Sequence, residues 1–187
     1  MFFNNVLKKE KMKKSLKSSM VGETNNARNL TLKHLEIIAN IAVKTDVFVK
    51  DSFFKNGPVE LNFWKDFSSL ILNPMPEEIP AFEGSLLKTR LKKKMYDSEI
   101  LSELRNSKPL TITEFAAVIE NLLRKQPNGE TGHLVNNTYA NVFYVQLENK
   151  RVVTARVGRY PGSHKWGLSV NGLVGWWFNG DCVFSRN

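Results

Sequence analysis

The chain has 187 residues, with 27 Lys and Arg against 18 Asp and Glu, for a net charge of +9. Its single cysteine excludes an intramolecular disulfide framework and a cysteine-only zinc site, and no apolar run approaches the roughly 20 residues of a membrane helix. At 42% hydrophobic it is too apolar for a fully disordered chain, and its length suits one compact domain or one domain with an attached helical part.

Residues 1–29 read as a basic, flexible leader. Lys8, Lys9, Lys11, Lys13, Lys14 and Lys17 stand against one acid, Glu10, in the first 20 positions. The apolar residues precede the lysines, the reverse of a secretory signal, so the expected compartment is the cytoplasm. The sequons at Asn29 and Asn136 are then chance matches.

Residues 30–110 are expected to form an α-helical segment. In 30–47, Leu32, Leu35, Ile38, Ala39 and Ala42 recur at helical spacing, with Thr31 placed as the cap. Asn56-Gly57-Pro58 breaks the chain. In 59–72, Phe63, Trp64, Phe67, Leu70 and Ile71 repeat every three or four residues and predict a second helix. Residues 73–84 hold three prolines and read as an extended connector. A third, more polar helix is expected over 85–106. Its first half carries Lys88, Arg90, Lys92, Lys93 and Lys94 with no acid between 85 and 95.

Residues 111–187 are expected to form a helix-plus-sheet unit. Thr111-Ile112-Thr113-Glu114 fits a capping box, followed by Phe115, Val118, Ile119, Leu122 and Leu123 on one helical stripe. Gly129-Glu130-Thr131-Gly132 has the outline of a loop that clamps a nucleic-acid backbone. Glu130 would repel phosphate, so a helix-ending turn is the preferred reading. Beyond 138 the period becomes two. Phe143, Val145 and Leu147, then Val153 and Val157, then Trp166, Leu168 and Val170 mark strands, with Asn171-Gly172 and Asn179-Gly180 as hairpin turns. The expected architecture is α+β: N-terminal helices, then a helix packed on a four- to five-stranded antiparallel β meander. The face away from that helix should show Tyr144, Arg156, Trp176 and Phe178. In the tandem Trp176-Trp177, neighbouring strand residues point opposite ways, so one ring must leave the core face.

His34, His133, His164 and Cys182 lack metal-ligand spacing, so no metal site and no cofactor is expected. No nucleophile elbow or phosphate-binding Gly-rich loop occurs. Concentrated charge attracts polyanions. The candidate nucleic-acid-binding residues are Lys92, Lys93, Lys94, Arg156, Arg159, Tyr160, His164 and Lys165. Their cations can neutralise phosphates and Tyr160 can stack on an unpaired base. The expected function is binding of RNA or single-stranded nucleic acid by clustered Lys/Arg and this basic-aromatic loop. The alternative is a non-catalytic protein-protein interaction module, an adaptor or effector. A third possibility, a metal-independent ribonuclease, would use His164 as acid or base with Arg159, Arg156 and Lys165 stabilising the transition state. An enzyme is the less favoured class. No integral membrane association is expected.

Overall fold

The computed structural model describes residues 32–105, 107–159, 162 and 165–187. The leader at 1–29, Tyr160 and His164 lie outside the described residues. The described part of the helix expected at 30–47 is instead a strand, β1 (Leu35–Thr45). Five of its eleven residues are Ile, Val or Thr, whose branched Cβ suits a pleated surface. Ala39, Ile41 and Val43 pack inward, while Asn40, Ala42 and Lys44 are exposed. A bulge between Ile37 and Ala39 shifts the register. It sends Leu35 to one core and Ile41 to another, and this change of face is what imitates helical spacing.

The small ribbon of β2 (Phe48–Val49) and β4 (Glu78–Ile79) brackets a short helix α1 (Lys50–Phe54) and the strand β3 (Leu61–Phe63). The expected second helix survives only as one turn, α2 (Lys65–Phe67), widening into Ser68–Leu72. Phe67 and Ile71 are fully buried, and Phe63 stacks on Phe67 at 5.5 Å. The expected third helix is largely strand β5 (Phe82–Leu91), which pairs antiparallel with β1 from Leu35↔Leu91 to Thr45↔Phe82. Only α3 (Asp97–Glu103), after the two-residue β6 (Met95–Tyr96), remains helical. Long-range pairing here outweighs a weak local helical period.

After β7 (Leu110–Thr111), helix α4 (Ile112–Arg124) starts where the capping box places it. Thr111 Oγ1 accepts from the Glu114 amide at 3.2 Å, and Glu114 accepts from the Thr111 amide at 2.9 Å. Its apolar stripe is fully buried. Strands β8 (Asn141–Gln146), β9 (Val152–Arg159) and β10 (Trp166–Asn171) follow as consecutive antiparallel neighbours. The meander stops there. β11 (Trp176–Trp177) leaves the sheet to pair with β6, and β12 (Cys182–Arg186) inserts between β8 and β5. It runs parallel to β8 and antiparallel to β5.

The result corrects the expected fold. It is a mixed eight-stranded sheet, ordered β1-β5-β12-β8-β9-β10-β3 with β7 also beside β8, carrying few short helices. One face packs on α4 through Phe143, Val145, Val153, Ala155, Val157, Trp166, Leu168 and Phe184. The opposite face is covered too. A second core joins Leu91, Val142, Tyr144 and Val183 to Met95, Ile100, Leu104 and Trp177. Trp177 belongs to this second core rather than to the face under α4.

Candidate functional site

The expected basic-aromatic set is divided by the sheet. Val153, Ala155 and Val157 face α4, and strand alternation places Arg159 with them and Arg156 on the other side. Arg159 lies against Gly129, whose φ is +78°, so closely that a β-carbon there would overlap its guanidinium. It faces Glu130, whose carboxyl sits below the usual carboxylate range. The hydrogen bonds of Glu130's own amide and of Asn128 are the main causes, and the charge of Arg159 adds to them. Arg156 shares its face with Thr154, which bonds to Asp97 on the second core. Lys165 lies 3.6 Å from Glu60. Trp166 is fully buried, and its indole donates to the Gln126 carbonyl at 3.1 Å. Arg156 is therefore not assembled with Arg159, and Trp166 is core.

Lys92, Lys93 and Lys94 occupy the exposed turn between β5 and β6. There the structure brings Lys94 beside aromatic rings. In the β6–β11 ribbon, Trp176 pairs with Tyr96 and Trp177 with Met95. Alternation turns Met95 and Trp177 into the second core and Tyr96 and Trp176 outward, each 51% exposed. Phe178 follows at 58%. Tyr96 meets Trp176 edge-on, with centroids 6.4 Å apart. The Lys94 ammonium sits over the Trp176 ring at 4.4 Å and lies 6.0 Å from the Phe178 ring. Lys93 reaches Glu99 at 4.0 Å, while Glu99 caps the Tyr96 amide at 2.8 Å. The outcome is an apolar platform carrying Lys94, beside a turn that also exposes Lys92 and Lys93.

Two buried carboxylates hold the platform rigid. Asp97 Oδ1 accepts from the Tyr144 hydroxyl at 2.9 Å, the Thr154 hydroxyl at 3.2 Å and the Trp177 indole at 2.8 Å. Its Oδ2 accepts the Gly175 amide at 3.0 Å. Burial, and then the Asp97 charge, push the Tyr144 hydroxyl far above the usual phenol range, so it stays a donor. Asp181 accepts the Phe178 and Ala140 amides, each at 2.8 Å, and fixes the turn that ends at Gly180. That glycine has φ +99° and lies against the Tyr139 ring.

No family model, curated protein or solved structure matches the chain. The chemistry must therefore be read from the side chains. Among the described residues, no group of three or more His, Cys, Asp and Glu is placed to hold a metal ion. His34 is bonded to Glu103 at 2.6 Å, and Cys182 is fully buried in β12, where burial raises its thiol above the usual range. Partial burial, then Lys125 and Lys88, lowers His133. Among the described residues no helix is long and apolar enough to cross a membrane. Sequence alone does not point to Tyr96 or Asp97. The tandem Trp176-Trp177 was the available signal, since it requires an outward ring, but nothing local ties that ring to Lys94.

Proposed function

We propose that the chain binds RNA or single-stranded nucleic acid on the platform of Tyr96, Trp176 and Phe178, with Lys92, Lys93 and Lys94 reaching phosphates. The observation that carries this reading is the Lys94 ammonium over the exposed Trp176 ring, next to two further exposed lysines. Cations beside exposed rings are what a single strand requires, because its phosphates need neutralising and its bases offer faces for stacking. The net charge of +9 supports the same direction.

Fluorescence anisotropy across a salt series tests the proposal. Replacing all three lysines with Gln should weaken binding of single-stranded RNA. It should also reduce the slope of log affinity against log salt by about 0.7 for each phosphate that is no longer neutralised. An unchanged slope refutes the assignment.

One observation favours a protein partner as a second reading. Val174 is 85% exposed, and Leu173 beside it is 38% exposed, in the turn that leads into Trp176. Binding through these apolar groups would change little with salt.

A further inference from the structure

We infer that the outer face of Trp176 is a seat for one unpaired nucleobase, held in the free protein by the Lys94 ammonium, which transfers to a phosphate when the base arrives. This inference rests on the nucleic-acid reading above and adds the ligand's form: a strand with splayed bases rather than a duplex.

The seat is built in advance. The Trp176 backbone is paired to Tyr96, the neighbouring Gly175 amide is fixed to buried Asp97, and the indole is braced edge-on by the Tyr96 ring at 88°. Its occupant is a tethered side chain at 4.4 Å, within the range of a cation–π interaction. An exposed ammonium over a ring is held weakly, and a nucleobase stacks on an aromatic face more strongly. Exchange therefore runs toward the base. The released ammonium is still strongly attracted to phosphate, so the same event frees a ring face and neutralises one phosphate. Phe178, 6.0 Å from the same ammonium, offers a second face for an adjacent base. In a duplex the base faces are already stacked on one another, which leaves only phosphates for the lysines.

The test uses the full chain with three probes: an oligouridylate, an abasic oligomer with the same number of phosphates, and an RNA duplex. Anisotropy and tryptophan fluorescence are read together. Trp166 and Trp177 are buried, so quenching reports mainly on Trp176 and on Trp64, which is 40% exposed. The expected result is quenching by oligouridylate only, with affinity about ten-fold or more above the abasic oligomer. Trp176→Phe should keep that preference and Trp176→Ala should lose it. Lys94→Ala should keep the preference while lowering the salt slope by about 0.7. Equal affinity for oligouridylate and abasic oligomer overturns the stacking seat but leaves polyanion binding standing. Quenching that persists in Trp176→Ala also overturns the seat. No binding of any probe at low salt overturns both readings.

Discussion

Asp97 is 1% exposed and accepts four hydrogen bonds, so its removal should damage both the fold and the platform. Three of its donors, the Tyr144 and Thr154 hydroxyls and the Trp177 indole, are themselves buried. Asp97→Ala leaves all three without an acceptor at about 1–3 kcal/mol each, and water entering the small void offsets part of that. A net loss of about 4 kcal/mol follows. Asp97→Asn keeps one oxygen for those donors. It removes the charge and sets an amide N–H against the Gly175 N–H, which should cost about 2–3 kcal/mol. Urea unfolding followed by tryptophan fluorescence gives both values from the shift in midpoint, provided the slope is unchanged. Losses below about 1 kcal/mol for both variants would refute the view that this carboxylate is the anchor. At temperatures where Asp97→Asn remains folded, its single-strand affinity should still fall, because Gly175 no longer fixes the start of β11.

Three further outcomes follow from charge and burial. Tyr144 is raised when folded, so only the unfolded chain ionises there as pH passes about 10; stability should fall above that pH, and Tyr144→Phe should lessen the fall in urea midpoints measured across it, the buried Cys182 thiol supplying a further part. Burial alone would raise the Glu103 carboxyl, but bonds from the His34 amide and ring hold it below the usual range. Its contribution is therefore present above the unfolded value near about 4.3 and lost as pH falls through the lower folded one, and Glu103→Gln should flatten that acid limb. Lys88 is buried on β5 over the Phe184 ring, with its pKa lowered by burial. It has no carboxylate partner among the described residues, so Lys88→Met should raise stability at neutral pH by on the order of 1 kcal/mol, and a lower urea midpoint would contradict this.

The C-terminal half was the more legible part because its signals are local. The capping box at Thr111 and Glu114 and the alternation through β8, β9 and β10 each act within a few residues. β1 and β5 were illegible for the opposite reason. The bulge at Ile38 breaks the period of two, and their stability comes from pairing between residues far apart in sequence, from Thr45 with Phe82 to Leu35 with Leu91. The place of β12 was invisible for the same cause, since the Asn179-Gly180 turn predicts a hairpin partner and the chain instead pairs with β5 and β8. At the site, Lys92, Lys93 and Lys94 were marked by charge alone. The aromatic neighbours of Lys94 became apparent only when β11 folded back on β6.

The position of β12 also bears on how the protein is made. Residues 182–186 are the last strand in chain order, yet they form the seam between β5 and β8. A ribosome releasing the chain from its N-terminus would expose the β1–β5 ladder and the β8–β9–β10 ladder before the strand that joins them. Each half would then present a raw inner edge, able to take a strand from another nascent copy. Closure waits until residues 182–186 have emerged, and a chain cut before them would leave two unjoined pieces.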